Sequence, residues 1–261
     1  MVGEEGFAKI SSSTICLIGI GGVGSWAAES LARSGIGHLI LVDLDDVCVT
    51  NINRQVQAVI STVGMSKVDA LSLRLRDINP ELKITPVNRF FSATSAEDIF
   101  ALNPDLIIDC IDRLTNKAIL VASAVQKGIP IVCSGSAGER WDPTKVQVTD
   151  LAHTERDPLL FQLRKRLRQR FGFPRNLRKS FGVAAVFAPL EYIPDSPVEE
   201  ISCAMAEKVN IDPTKKSDLP ERGPDPTASR SCNNGLGTAS YVTGAFGFAA
   251  AAEAVKILLK K

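Results

Sequence analysis

The stretch of residues 15–43 limits the possible folds of this chain more than any other. It begins with an apolar run (15–18), turns at a glycine-rich segment, continues as an apolar helical pattern and ends in a second apolar run (39–42) that stops at Asp43. The glycines of the turn are Gly19, Gly21, Gly22 and Gly24. Strand, glycine turn, helix, strand and acid in this order are typical of a βαβ unit that binds a nucleotide. Glycines let the backbone approach a phosphate, the helix N-terminus favours its charge, and Asp43 is placed to accept hydrogen bonds from ribose hydroxyls.

Strands and helices continue to alternate as far as residue 150. Apolar periodicity predicts strands at residues 82–87, 106–110 and 131–133, and helices at 64–79, 95–102 and 115–127. Residues 1–13 offer a single amphipathic turn. The alternation predicts an α/β fold with a Rossmann-like, mostly parallel sheet and helices on both faces.

We expect one domain over residues 1–261, with a nucleotide-binding core at about 11–150 and a mixed C-terminal extension. In the extension, strands are predicted at 145–150 and 181–187, and a helix at 158–171. Residues 194–230 are rich in proline and charge, which predicts a long surface loop.

The C-terminal part, about 231–261, begins with 22 residues (231–252) whose only ionisable side chains are Cys232 and Tyr241. This length allows a membrane span. However, the segment is rich in small residues, which suit a helix packed within a globular fold, and its helical phase continues through Glu253 and Lys256. We therefore expect a buried packing helix and keep a membrane span as the weaker alternative.

Six cysteines are scattered through the chain without a C-x-x-C pair. This pattern indicates free thiols in a reducing compartment and disfavours structural zinc. Without a signal peptide at the N-terminus, a cytoplasmic location is expected, and an organellar or membrane-associated one stays open. The net charge of +1 predicts no partner by itself.

Polar and charged residues follow the glycine turn where the phosphates of a nucleotide would lie. Asp45 comes just after the second strand, at the edge where open α/β sheets bind ligands, although a solvated turn would also explain it. Asn53, Arg54 and Gln55 follow closely, and the guanidinium of Arg54 suits phosphate oxygens.

Lys67 and Asp112 enlarge this set. Lys67 opens a predicted helix, where the helix dipole disfavours a cation, so an anion that it meets is a better explanation than a solvent-facing lysine. Asp112 follows a buried strand and could hold Mg²⁺ between phosphates, or it could cap the next helix. The combination favours ATP bound for chemistry at its phosphates, because a dehydrogenase leaves Arg54, Lys67 and Asp112 unexplained.

These motifs resemble the adenylation core of the ubiquitin-activating-enzyme-like superfamily. The matching segments are residues 19–24, 43–45, 51–55, 67 and 110–112. Within the superfamily, the chain is most similar to the tRNA threonylcarbamoyladenosine dehydratases, on residues 23–29, 45–51, 142–150 and 244–248. The likeness covers nearly the whole chain and is weakest across residues 194–230.

The resemblance implies that Asp43 binds ribose, that Arg54 and Lys67 act on the ATP phosphates, and that Asp112 holds Mg²⁺. The implied ATP contacts are Gly19, Gly21, Gly22, Gly24, Asp43, Asp45, Asn53, Arg54, Gln55 and Lys67. The implied reaction adenylates the carboxylate of the threonylcarbamoyl group on adenosine 37 of tRNAs reading ANN codons, which releases pyrophosphate. Ring closure then expels AMP. The resemblance also implies a homodimer and leaves open a sulfur-transfer partner of the cysteine desulfurase type.

The chain departs from this family at two places. Family members usually begin further upstream, with an arginine that reaches the ATP phosphates of the partner subunit, whereas no arginine precedes Arg33 here. The loop at 194–230 is also longer than the family pattern leads us to expect.

Residues 156–179 hold nine lysines or arginines against one acid, Asp157. Such a cluster attracts the phosphate backbone of tRNA, and Phe171 and Phe173 could stack on bases. The candidate tRNA-binding residues are Arg164, Lys165, Arg166, Arg168 and Arg170. A solvated helix face or a membrane-surface helix would also explain the charges.

Other functions stay open at this point. Cys232 could form a thioester as in relatives that activate ubiquitin-like proteins, although a spectator thiol explains it more simply. An adenylyltransferase for a ubiquitin-like or sulfur-carrier protein is the second hypothesis, and an NAD-dependent oxidoreductase is the third. A non-catalytic nucleotide-binding scaffold is the last.

Overall fold

A seven-stranded, mostly parallel sheet organises the chain in a computed structural model that describes residues 2–190 and 237–260. The strands are β1 (Thr14–Ile18), β2 (His38–Asp43), β3 (Lys83–Asn88), β4 (Leu106–Asp109), β5 (Ile131–Ser134), β6 (Gln147–Asp150) and β7 (Ala184–Phe187). The helices are α1 (Gly3–Ser12), α2 (Gly22–Arg33), α3 (Lys67–Ile78), α4 (Ala96–Phe100), α5 (Leu114–Gln126), α6 (Pro158–Arg170) and α7 (Ser240–Lys260). The strand order is β3-β2-β1-β4-β5-β7-β6, and every neighbouring pair is parallel except β6 and β7.

Two apolar layers cover the central strands, and each layer takes alternate residues of a strand. In β1, Ile15 and Leu17 face the layer built by α1, α2, α3 and α7, whereas Cys16 and Ile18 face the layer of α4, α5 and α6. Because both faces are buried, the strands are continuous apolar runs without a polar side. The predicted α/β class and its mostly parallel sheet are confirmed.

The two edge strands are less apolar, as their position requires. The edge strand β3 is partly exposed along its length and contains Pro86, which lacks an N–H and is tolerated only where one side of a strand is unpaired. The other edge strand, β6, pairs with β7 alone and is also largely exposed.

The N-terminal segment forms a longer helix than the single turn we expected. α1 spans 10 residues, with Glu4 and Glu5 in its first turn, where the helix dipole favours acids. Ile10 is buried, and a Cβ on Gly6 would lie 3.1 Å from Leu259 at the other end of the chain. This contact with α7 explains the extra length, because it is a tertiary contact that a local pattern does not encode.

The C-terminal helix α7 packs on α2 and over the sheet. Among the described residues it is the one helix long and apolar enough to cross a membrane. Its inner face is nevertheless buried by protein, and Val242, Phe246, Ala250 and Ala254 are fully inaccessible to solvent. The expected buried helix is therefore found, at Ser240–Lys260. The predicted loop at 194–230 and the thiol of Cys232 lie outside the described residues.

Candidate active site

The glycine-rich turn joins β1 to α2 and closely approaches the segment that follows β4. Gly19 has a φ of +89°, which favours glycine, and a Cβ on it would lie 2.8 Å from the carbonyl oxygen of Cys110. A Cβ on Gly24 would collide with the carbonyl oxygen of Gly19. Because α2 begins at Gly22, its first N–H groups lie at the carboxyl edge of the sheet, where they favour an anion.

Asp43, the last residue of β2, connects the two loops on this edge. One carboxylate oxygen accepts a hydrogen bond from the N–H of Ile20 at 2.6 Å, and the other accepts one from the N–H of Asp45 at 2.9 Å. Burial raises the pKa of Asp43, although Lys67 and the two N–H groups oppose this effect. Each oxygen keeps a further lone pair, so the predicted ribose contact is compatible with both bonds.

Lys67 begins α3 and turns back to the loop after β2. Its side chain is only 8% exposed, and its Nζ lies 2.7 Å from Oδ2 of Asp45, a carboxylate that is 49% exposed. The N–H of Lys67 also donates to the carbonyl of Asp45 at 2.9 Å. The alternative of a solvent-facing lysine is therefore wrong, and Asp45 belongs to an ion pair at the site.

The segment that carries Arg54 is held by side chains from two helices. The carbonyl oxygen of Arg54 accepts hydrogen bonds from Nε1 of Trp26 at 3.0 Å and from Oγ1 of Thr243 at 3.1 Å. The guanidinium of Arg54 donates to the side-chain oxygen of Asn53 at 3.0 Å, while Nδ2 of Asn53 donates to the carbonyl of Thr238 at 2.9 Å. A Cβ on Gly22 would lie 3.7 Å from Cδ of Arg54, so this arginine borders the glycine turn.

The amide of Gln55 faces inward. Gln55 is buried and accepts a hydrogen bond from Nε2 of Gln57 at 3.2 Å. The same nitrogen of Gln57 lies 3.1 Å from the carbonyl of Ile20 in the glycine turn. Through these two hydrogen bonds, Gln55 and Gln57 connect the segment that carries Arg54 to the glycine turn.

Asp112 is exposed in the segment that follows β4. The residue before α5 is Arg113, and no side chain caps that helix, so the alternative of Asp112 as an N-cap is wrong. No group of three or more His, Cys, Asp or Glu side chains that could hold a metal occurs in residues 2–190 and 237–260. The exposed carboxylate of Asp112 fits a Mg²⁺ ion, because proteins bind this ion through one or two carboxylates together with substrate phosphates.

A fully buried ion pair holds the backbone just before Asp112. Nζ of Lys117 is 2.9 Å from Oδ2 of Asp109, and both side chains are 0% exposed. Lys117 also donates to the carbonyl of Ile111 at 3.0 Å, and the N–H of Ile111 donates to Oδ1 of Asp109 at 3.0 Å. Although burial alone would lower the pKa of Lys117, the carboxylate of Asp109 raises it above its usual value. The pair therefore fixes the backbone that leads to Asp112.

The predicted basic helix is α6, and its arginines are not equally free. The stripe of Leu160, Leu163 and Leu167 is buried, as core packing requires. Arg164 donates to Oγ1 of Thr154, and Nε of Arg168 donates to the carbonyl of Pro174 at 3.1 Å. The side chains that stay exposed among the five candidates are Lys165 and Arg170.

A groove of about 730 Å³ runs along this face of α6, between residues 152–155 and 175–177. Its cationic lining residues are Arg164, Lys165, Arg168 and Arg175. Phe173 is 9% exposed and packs edge-on against Phe181 at a ring distance of 4.9 Å, so its predicted stacking on bases is wrong. Phe171 is 39% exposed.

The family model described as ThiF matches residues 1–261, the whole chain. The chain belongs to the ThiF family. It is 40% identical to the tRNA threonylcarbamoyladenosine dehydratase of Escherichia coli, over 100% of the chain and 91% of that protein. It is 38% identical to the Haemophilus influenzae protein of the same name, over 98% of the chain and 90% of that protein. The solved structure of the E. coli dehydratase in complex with ATP superposes with a TM-score of 0.79 and 37% identity, over 99% of the chain and 90% of that structure.

Several residues that shape the site of this ThiF family member carry little local sequence signal. Trp26 and Thr243 resemble core residues in the sequence, yet both donate to the carbonyl of Arg54. Asp109 and Lys117 resemble a strand end and a helix surface, yet they form the buried pair. The one available signal was the charged side chain of Lys117 among the apolar residues of α5.

Proposed function

We propose that this ThiF family member is an ATP-dependent tRNA threonylcarbamoyladenosine dehydratase that acts on adenosine 37 of tRNAs reading ANN codons. Similarity to the E. coli dehydratase over 100% of the chain and 91% of that protein, whose solved structure includes ATP, carries this proposal. The geometry supports it, because Asp43, Arg54 and the segment before Asp112 all border the glycine turn.

In this reaction, the residues of the site position ATP and neutralise its charge. Asp43 holds the ribose, the N-terminus of α2 and Arg54 hold the phosphates, and Lys67 exchanges Asp45 for a phosphate oxygen. Asp112 would hold Mg²⁺, an ion that would supply neutralising charge at the phosphates. A carboxylate oxygen of the threonylcarbamoyl group attacks the α-phosphorus and pyrophosphate leaves. An atom of the carbamoyl group then attacks the activated carbonyl and closes the ring, the bond from that carbonyl to the AMP oxygen breaks, and AMP and a proton leave. The nucleoside has then lost one water.

The groove along α6 is the proposed surface for the tRNA backbone. Its cationic side chains attract phosphates over the distance of a Debye length, and half-buried Arg164 and Arg168 give it a fixed shape. The proposal includes a homodimer, which follows from the family resemblance alone, and a cytoplasmic location, which follows from the pattern of cysteines. The resemblance leaves open a sulfur-transfer partner of the cysteine desulfurase type.

The decisive test is incubation of the purified chain with ATP, Mg²⁺ and threonylcarbamoyl-modified tRNA. We expect release of pyrophosphate and AMP and loss of the mass of one water from the nucleoside. Pyrophosphate release that requires the C-terminus of a carrier protein, and ignores tRNA, would replace this proposal by an adenylyltransferase. Hydride transfer to NAD would replace it by an oxidoreductase.

Variants test the individual assignments. Lys67→Ala and Arg54→Ala should each lower turnover at least about tenfold, as expected for lost charge stabilisation at a transferring phosphate. Arg76→Ala, an exposed position on the same helix as Lys67, is the control and should leave turnover unchanged. Equal rates in all three variants would remove the phosphate assignments.

The tRNA surface is best tested at its exposed positions, because Arg164 and Arg168 also donate hydrogen bonds within the protein and their substitution could change its stability. Lys165→Gln together with Arg175→Gln, two exposed residues that line the groove, should weaken tRNA binding and lower the slope of its salt dependence by the equivalent of about two phosphate contacts. Unchanged affinity would make α6 a solvated face.

A further inference from the structure

The N-terminal end of α7 lies against the segment that carries Arg54. Oγ1 of Thr243 in α7 and Nε1 of Trp26 in α2 donate to the same carbonyl oxygen, at 3.1 Å and 3.0 Å. The carbonyls of Ala239 and Ser240 each lie 3.3 Å from the same hydroxyl, so the Arg54 carbonyl is its nearest acceptor. Both lone pairs of the Arg54 carbonyl are thereby used. Residues 52–54 form a turn after the short 3-10 helix Val49–Asn51, so these two donors add to the few backbone hydrogen bonds that hold this segment.

The two donors belong to a rigid helix pair. A Cβ on Gly247 would lie 2.7 Å from both Cβ of Trp26 and the carbonyl oxygen of Val23, so α7 approaches α2 as closely as its backbone allows. The ring of Phe248 meets the indole of Trp26 edge-on, with centroids 6.0 Å apart. This packing sets the position of the indole N–H.

The same end of α7 also touches the glycine turn. A Cβ on Gly22 would lie 2.9 Å from Cγ2 of Thr243. In addition, the carbonyl of Thr238, just before α7, accepts a hydrogen bond from Asn53 at 2.9 Å. Thr243 therefore contacts the glycine turn and the arginine beside it at the same time.

We propose that Trp26 and Thr243 are positioning residues that hold Arg54 in register with the glycine turn, and that α7 is thereby part of the ATP site. This inference rests on the proposed function, in which Arg54 binds the ATP phosphates. In this proposal the hydroxyl of Thr243 acts through the backbone of Arg54, whose carbonyl it contacts.

Thr243→Val separates this role from packing, because it keeps the branched shape and loses the hydroxyl. Trp26→Phe keeps one aromatic ring but loses the second ring together with the N–H, so it is the supporting variant and Thr243→Val is the deciding one. Each should raise the KM for ATP about threefold to tenfold, the range expected for one lost hydrogen bond, with the KM for tRNA unchanged. Thr243→Ser should restore the wild-type value. The control is Ser72→Ala, which removes a different buried helix hydroxyl, one that donates to the carbonyl of Val68 at 2.6 Å, and should leave the KM for ATP unchanged.

A double-mutant cycle with Arg54→Ala, read by titration of a non-hydrolysable ATP analogue, gives the sharper answer. Once Arg54 has lost its side chain, Thr243→Val should weaken binding no further. Additive effects, or unchanged affinity in Thr243→Val, would overturn the inference. If the wild-type protein binds no ATP analogue, the proposed function itself fails, and this outcome is distinct from wild-type binding that ignores Thr243.

Discussion

Removing one partner of the buried pair just before Asp112 should destabilise the protein far more than removing both. In Lys117→Met the carboxylate of Asp109, which is 0% exposed, loses the ammonium 2.9 Å away. The carbonyl of Ile111 also loses its donor. The change removes a charge and keeps a straight chain of similar volume, so lost packing contributes little.

The expected magnitude follows from the uncompensated charge. Breaking a fully buried ion pair costs about 3–5 kcal/mol, whereas replacing both partners with neutral groups of similar size is close to neutral. Asp109→Asn/Lys117→Met keeps an acceptor for the N–H of Ile111, which lies 3.0 Å from Oδ1. The double variant should therefore recover most of the stability, and a cycle should give a coupling free energy of at least about 2 kcal/mol.

The penalty should also depend on pH. Burial raises the pKa of Asp109, and without Lys117 no cation opposes it. In the unfolded variant the carboxyl of Asp109 loses its proton above about pH 4, whereas burial in the folded variant favours the protonated form. Each pH unit between the two pKa values therefore costs about 1.4 kcal/mol of stability. The free energy of unfolding of Lys117→Met should consequently be closer to the wild-type value at pH 5 than at pH 8.

Urea unfolding followed by circular dichroism at both pH values measures these quantities. The reasoning would be refuted if Lys117→Met lost less than about 1 kcal/mol of unfolding free energy at pH 8 with an unchanged m-value. It would also be refuted if the losses in the two single variants were additive in the double variant. The control is Glu253→Gln/Lys256→Met, an ion pair at 2.9 Å whose lysine is 59% exposed, which should show almost no coupling.

Three further predictions concern other parts of the chain. Burial raises the pKa of Glu29, but the arginines of α2 and α3 outweigh it and lower the pKa below its usual value. Glu29→Gln should therefore cost about 1 kcal/mol at pH 7 in urea unfolding, and the difference should vanish as the pH falls through that lowered pKa. Cys48 is exposed and hydrogen bonds from Thr50 lower its pKa, so peptide mapping should show it alkylated before Cys16 or Cys133, which are buried. Gly24→Ala should abolish binding of an ATP analogue, because its Cβ collides with the carbonyl of Gly19; retained affinity would contradict that reading of the turn.

Local patterns were sufficient for the sheet and the glycine turn. The runs that became β1 and β2 are apolar at every position because both faces are covered, and Asp43 ends the second run at the edge where ligands bind. The ends of these elements differ from the predicted ones by a residue or two, since only the hydrogen bonds of the folded chain define them.

The partners of charged side chains could not be predicted in the same way. Lys67 was expected to meet an anion, but its ion pair joins residues 22 positions apart. Phe173 was expected on the surface beside the basic helix, yet Phe181 covers it. In both cases the deciding contact comes from the packing of loops, which leaves no periodic trace in the sequence.

The small residues of α7 explain why composition alone could not separate a core helix from a membrane span. Both settings favour an apolar helix with glycines that allow close approach, so hydropathy cannot distinguish them. The distinction lies in what the glycines approach and where the polar groups go. Gly247 meets the backbone of α2, and Thr243 donates to the carbonyl of Arg54. One side of α7 completes the apolar layer over the sheet, and its N-terminal end reaches the predicted phosphate site, so two protein contacts account for the small residues of this helix.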